Sequence, residues 1–232
     1  MNLKQLLVFD AEWVPIANTY SELDKFPEHK QAWDNRCKKW NADKTNKGDD
    51  KLFTPSEYWD KSAFAYPEFC KIICVSMGYT NKTNEFVTIS YYGHDEKEIL
   101  EKFNNLLISV ETKGFILAGA AIKRYDMPWL AKRMMVNGIA PSKLLNVYGK
   151  KPWDVNVYDI MEVWGQGCSQ ESYTPFECIA VSLGVESPKN DISGADVKRV
   201  YWEDGDIERI KTYCEGDVKQ TMAVITKLIE YS

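Results

Sequence analysis

The chain has 232 residues, 44% of them apolar and 13% aromatic, enough for the core of one large domain. Its net charge of −5 argues against a protein that holds nucleic acid mainly through a broad basic surface, though not against an enzyme that grips a few nucleotides through metal ions. No run of about 18 apolar residues is present to span a bilayer, and Met1-Asn2-Leu3-Lys4 leads into a short strand rather than a signal-peptide core, so the expectation is a cytoplasmic protein with no membrane partner.

The first element is the apolar run Leu6-Leu7-Val8-Phe9, which continues into Asp10-Ala11-Glu12-Trp13. Strand side chains alternate faces, so Asp10 and Glu12 project the same way, about 7 Å apart. Two acids on one face of a buried strand repel each other unless a cation lies between them. Pro15 cannot donate to a ladder and ends this strand. Residues 15–66 read as an insertion in a single domain of residues 1–232; within it basic and acidic residues balance and aromatics are frequent. Ser21 to Asp24 resembles a helix start, Ala32 to Trp40 has a helical pattern, and Lys44 to Asp50 reads as a loop. The aromatics either pack this insertion or, interleaved with lysines, form a stacking platform for single strands.

Phe69 to Tyr79 and Glu85 to Tyr92 are β-rich runs flanking a turn-like Thr80 to Asn84, an antiparallel hairpin pattern. Asp95 is placed to cap a helix running to about Val110, with Ile99, Leu100, Phe103, Leu106 and Leu107 on one face. Phe115 to Ile122 reads as a short buried strand, and Pro128 lies in the first turn of a helix closed by Asn137-Gly138. Asn156 to Trp164 has a strand pattern, Thr174-Pro175 opens a helix ending at Gly184, and Ser187 to Gly194 is a loop. A long helix follows from about Asp206 to Glu230, with Ile210, Tyr213, Cys214, Asp217, Thr221, Val224 and Leu228 on its apolar face. The order predicts one mixed α/β sheet with helices on its faces.

The six cysteines are scattered and are expected to be reduced core thiols. His29 and His94 lie away from every acidic motif, which disfavours histidine-based catalysis. Asp217, in the middle of a helical apolar stripe, is either a buried acid bonded to a tyrosine or lysine, or a functional one. Asp126 precedes a proline-containing first turn and has the setting of an N-cap. Considered together, Asp10, Glu12, Asp126 and Asp217 are able to converge on one point. Four carboxylates without histidine or thiolate favour Mg²⁺ or Mn²⁺ over zinc. Two such ions about 4 Å apart suit phosphoryl transfer, one activating water and the other stabilising the leaving oxygen.

These residues also carry a family resemblance. Phe9-Asp10-Ala11-Glu12 resembles the first motif of the DEDD (DnaQ-like) 3'-5' exonucleases, Tyr125-Asp126-Met127-Pro128 the second, and Tyr213-Cys214-Glu215-Gly216-Asp217 the third. The Tyr-x3-Asp spacing is that of the tyrosine subclass, since Thr212 stands where the other subclass has histidine. With Gly194-Ala195-Asp196-Val197 upstream, the pattern is similar to the exonuclease domains of family B DNA polymerases in stand-alone form.

The resemblance implies a ribonuclease H-like fold, with three antiparallel strands followed by parallel ones and a mostly helical insertion after the first. It implies metal ligation by Asp10, Glu12, Asp126 and Asp217, and orientation of the attacking water by Tyr213. With an ordinary phenol pKa of about 10, Tyr213 is assigned positioning rather than deprotonation. The implied substrate is the 3' end of single-stranded DNA or RNA, DNA favoured, with nucleoside 5'-monophosphates released and replication or repair proteins as the partner class. Contacts to nucleic acid are assigned to Ala11, Trp13, Lys123, Arg124, Tyr125 and Trp129, the alternatives being core packing for the tryptophans and solvation for the basic residues. At one position the chain departs from the family: Ala121 stands where members usually carry asparagine, removing a polar contact. Another two-metal nuclease of the RNase H-like type, and a binding or assembly module with a weakened site, are the competing readings.

Overall fold

The computed structural model describes residues 2–49, 51–167, 174–187 and 191–231. Five strands form one sheet in the order β3-β2-β1-β4-β5: β1 (Leu6–Pro15), β2 (Cys70–Thr80), β3 (Phe86–Tyr92), β4 (Ile116–Gly119) and β5 (Val157–Asp159). β2 and β3 are antiparallel, joined across a turn that Asn81 stabilises by accepting from the amides of Thr83 and Glu85. β1 runs parallel to β4 with Val8 opposite Ala118, and β4 runs parallel to β5 with Gly119 opposite Asp159. By the carboxyl ends of parallel strands lies the usual ligand-binding edge of an α/β sheet.

The chain divides into two compact units, Met1–Glu12 with Ile72–Ser232, and Trp13–Lys71. The smaller one is built from α1 (Pro27–Asn46), α2 (Pro55–Ser62) and several 3₁₀ turns. Its core is aromatic: Trp33 and Trp59 are fully buried and meet edge to face with centroids 5.1 Å apart, and Phe69 packs on Trp33 at 4.9 Å. α1 is longer than the sequence pattern suggests. Pro27 opens it in the first turn, and Lys44, Thr45 and Asn46 carry it into the first part of the predicted loop. α2 starts with a capping box in which Thr54 and Glu57 satisfy each other's backbone amides.

In the larger unit, α3 (Glu96–Val110) is capped by Asp95, which accepts from the Glu98 amide, and buries Ile99, Leu100, Phe103 and Leu107. α4 (Asp126–Val136) follows β4. Arg133 of α4 forms a buried pair with Glu96 at 2.6 Å, and Asn137 donates to the same carboxylate. α5 (Ile160–Gly165) replaces most of the predicted strand from Asn156 to Trp164. The Asp159 carboxylate accepts from the Met161 amide and starts a helix three residues into that run. The predicted strand Phe115 to Ile122 is likewise shorter, because the chain turns at Ala121 with φ of 59°. α6 (Phe176–Ser182), α7 (Val197–Arg199) with a π-helical continuation over Val200–Asp204, and α8 (Ile207–Glu230) complete the unit. The predicted loop from Ser187 to Gly194 lies partly, and Cys168 wholly, outside the described residues. Cys37, Cys70, Cys74 and Cys214 are buried, whereas Cys178 is exposed on α6, against the expectation of a core thiol.

Candidate active site

β1 carries Asp10 and Glu12 just beyond its last residue paired with β4. Both are half-buried, while Leu6 to Phe9 behind them are buried. Asp126 is 6% exposed at the first position of α4. Its setting is not that of an N-cap: Tyr125 occupies the cap position without a side-chain cap bond. The Ala11 amide lies near the carboxylates of both Asp10 and Asp126 and favours their charged forms.

α8 supplies the remaining groups. Its buried stripe runs through Ile210, Cys214, Val218, Thr221 and Ile225, and Val218 takes the central place expected for Asp217. Asp217 and Tyr213 are half-buried beside the stripe, one helical turn apart, with the Tyr213 phenol against the Asp217 carboxylate. Cys214 Sγ donates to Asp10 Oδ2 at 3.3 Å and to the Asp10 carbonyl at 3.5 Å. Gly194 lies close by, where a β-carbon would reach 3.7 Å from the Tyr213 hydroxyl.

Electrostatics record the convergence. Burial raises the pKa of Glu12 well above the ordinary carboxylate range, and the charges of Asp10, Asp217 and Asp126 push it further. Burial raises Asp126, with Asp10 adding to the shift. Burial lifts Asp10 to about 6 against the opposing Cys214 hydrogen bond, and lifts Asp217 to about 7 with help from Asp10. The Tyr213 phenol is pushed upward, first by burial and then by Glu12 and Asp217, and so remains a hydroxyl. Among the described residues no lysine or arginine pairs with any of the four carboxylates.

Within this cluster Asp10 and Glu12 are placed to share a divalent cation. Ligand atoms of Asp10, Glu12 and Cys214 all lie within 4.8 Å of one another. Burial also pushes the Cys214 thiol upward, and as a protonated donor to Asp10 it orients the carboxylate rather than adding a soft ligand. The other donors at this site are carboxylate oxygens, which suit Mg²⁺ or Mn²⁺.

Two supporting residues escape a reading by motif. Asp159, at the end of β5, accepts the amides of Ala121 and Met161 at Oδ1 and of Lys123 at Oδ2, each at 3.0 Å. It thereby pins the turn between β4 and Asp126. Gly119 lets that turn approach β1, since a β-carbon there would be 3.1 Å from the Phe9 carbonyl and 2.2 Å from Ile122. Of the other predicted residues, Trp129 is buried and Tyr125 is 39% exposed. Arg124 is exposed over the Tyr125 ring, and Lys123 Nζ pairs with Glu162 at 2.6 Å. Trp13 follows Glu12 on β1 and donates from Nε1 to the Phe64 carbonyl.

Residues 62–232 match a family described as a predicted 3'-5' exonuclease related to the exonuclease domain of PolB. The chain belongs to this family. The PolB-related exonuclease family thus accounts for the helices that carry Asp126, Tyr213 and Asp217, while β1 with Asp10 and Glu12 precedes the matched residues. Membership makes the protein a 3'-5' exonuclease by class. In fold, the exonuclease is similar to the family B DNA polymerase from the hyperthermophilic archaeon Pyrobaculum calidifontis, with a TM-score of 0.54 and 14% identity. That similarity covers 97% of this chain and 24% of the polymerase, and the shared architecture is the ribonuclease H-like α/β fold. No curated protein matches the chain. Among the described residues no helix is long and apolar enough to cross a membrane.

Proposed function

We propose that the protein is a tyrosine-type DEDD exonuclease that hydrolyses the terminal phosphodiester at the 3' end of single-stranded nucleic acid, DNA in preference, and releases nucleoside 5'-monophosphates. The observation that carries this reading is the set of mutually repelling, half-buried to buried carboxylates Asp10, Glu12, Asp126 and Asp217, with no basic partner among the described residues. In this reading the four acids hold two Mg²⁺ or Mn²⁺ ions. The bound ions would supply Lewis acidity toward the phosphoryl group and a nucleophile at neutral pH.

The chain's own residues do the rest. Cys214 fixes the orientation of Asp10, so that its free oxygen is presented with little reorganisation. Tyr213, kept as a phenol by burial and by its acidic neighbours, orients the attacking water through its hydroxyl without taking the proton. Arg124 and Tyr125, exposed at the start of α4, are placed to meet the substrate backbone and a base face. Residues 15–66 are read as an insertion of this single exonuclease domain, and replication or repair proteins remain the partner class.

The test is degradation of 3'-labelled and circular single strands with Mn²⁺. Terminal label is released from linear DNA and the circle stays intact. Asp10→Ala abolishes release while the protein stays folded by circular dichroism. Cleavage of the circle would favour an endonuclease, and turnover by Asp10→Ala would remove the site assignment.

A further inference from the structure

The unit formed by residues 13–71 has a feature that the exonuclease site does not use. A cavity of about 350 Å³ opens on it, within the size range of small-ligand sites. Its lining includes the rings of Trp40, Tyr58 and Tyr66 with Asp43, Lys44 and Lys47. Trp33 and Trp59 fill the core of the unit; Trp40 and Tyr66 pack on that core, are only half-buried, and turn their remaining surface to this cavity.

Charge around the cavity favours an anion. Arg36 lies against two of the lining rings, its guanidinium carbon 3.9 Å from the Tyr66 centroid and 4.9 Å from that of Trp40. No carboxylate pairs with it among the described residues, and its buried Nε has no hydrogen-bond acceptor. Lys47 is exposed at the rim and likewise unpaired. Beside the lining, Lys44, Lys51 and Lys61 surround the Phe53 ring at 5.1, 5.7 and 3.8 Å, and Phe53 packs on Tyr58. The acids nearby are largely engaged: Asp49 binds Lys44, and Glu57 is committed to the Thr54 cap. Asp43 is left at the rim, where a carboxylate is a suitable acceptor for an amino group on a base edge.

We infer that this cavity is a second binding site for single-stranded nucleic acid, taking one base against Trp40 and Tyr66 and the adjoining phosphate at Lys47, with Arg36 over the two rings adding positive charge. The ligand class rests on the exonuclease reading, because aromatic rings interleaved with unpaired cations match a polymer that alternates π faces with phosphates. The site differs from the carboxylate cluster in chemistry: it binds without a divalent ion and performs no reaction. Its effect is to hold substrate on the enzyme through a contact that the reacting end does not make, raising the local concentration of strand.

The experiment measures binding of a 5'-fluorescein oligothymidylate to the full chain in EDTA, by anisotropy and by quenching of intrinsic tryptophan fluorescence. Trp40→Ala is expected to raise Kd about fivefold or more and to diminish the quenching. Lys47→Ala, an exposed change that leaves the fold intact, is expected to weaken binding and to make the slope of log Kd against log salt shallower by about one. Both variants retain kcat on saturating DNA with Mn²⁺ and show a raised KM. Unchanged Kd and salt slope in Lys47→Ala, together with unchanged quenching in Trp40→Ala, overturn the second site whether or not the enzyme cleaves. If the wild type fails to cleave yet loses oligonucleotide binding on these substitutions, the cavity stands and the exonuclease reading falls.

Discussion

Tyr213 and its neighbours show how one side chain takes a role from its surroundings. An isolated phenol loses its proton at a pKa of about 10. In the site, burial and the charges of Glu12 and Asp217 raise that pKa, so the hydroxyl stays available to donate and accept hydrogen bonds. Tyr213→Phe therefore keeps the packing on α8 and removes only the oxygen. It is expected to lower kcat by about 10²-fold, the scale of a misplaced reactant, with KM little changed. Steady-state kinetics on a labelled single strand check this, and an equal rise in KM with kcat intact would instead mark Tyr213 as a ground-state binding residue. Cys214 was legible in the sequence only as a core thiol. That its Sγ lies 3.3 Å from Asp10 depends on how α8 packs on β1.

At the scale of elements, the turn between β4 and α4 decides whether Asp126 reaches the other acids. Three backbone amides of this turn and of α5 converge on the single carboxylate of Asp159. Ala121 adopts a left-handed φ of 59° inside it, a conformation that costs a non-glycine residue about 1 to 2 kcal/mol and persists because the surrounding bonds hold it. Removing the carboxylate in Asp159→Ala leaves those amides without acceptors, each at a cost of about 1 to 3 kcal/mol if water does not enter. The expected result is destabilisation of about 2 to 4 kcal/mol by urea unfolding, with a fall in kcat larger than any change in KM. Asp159→Asn, which retains one carbonyl oxygen, should recover part of both, whereas equal loss in the two variants would show that charge rather than bonding matters. The same turn explains why a strand pattern from Phe115 to Ile122 yields only Ile116–Gly119: apolar composition marked burial, and the turn chemistry came from a residue 38 positions away.

For the whole molecule, clustered carboxylates make stability depend on pH and on divalent ions together. The folded-state pKa values of Asp10 and Asp217 are raised to about 6 and about 7, above the ordinary value of about 4. Between those limits the folded protein holds protons that the unfolded chain has released, so stability falls as pH rises through that window. In EDTA, thermal melts should give a Tm that declines from pH 5 to pH 8 more steeply than in the Asp10→Asn/Asp217→Asn variant. Mn²⁺ should raise the wild-type Tm most at the alkaline end, because it binds the deprotonated site. A wild-type profile in EDTA that parallels the double variant would contradict the burial of these charges.

From the sequence alone, local pattern determined a good deal: the buried β1 ending in two acids, the hairpin, the Asp95 cap on α3, the long amphipathic α8 and the mixed α/β class. Alternation, capping and helical period are short-range rules, and they act wherever neighbouring residues decide the conformation. The same rules carried the aromatic stretch 15–66 only as far as a choice between packing and stacking, and the structure packs Trp33 and Trp59 in a core while Trp40 and Tyr66 line a cavity. Only tertiary structure decided that Asp159 governs the Ala121 turn, that Val218 rather than Asp217 occupies the centre of the α8 stripe, and that Cys214 donates to Asp10. Each of these depends on approach between segments far apart in the chain, and no pattern within a single segment encodes that distance.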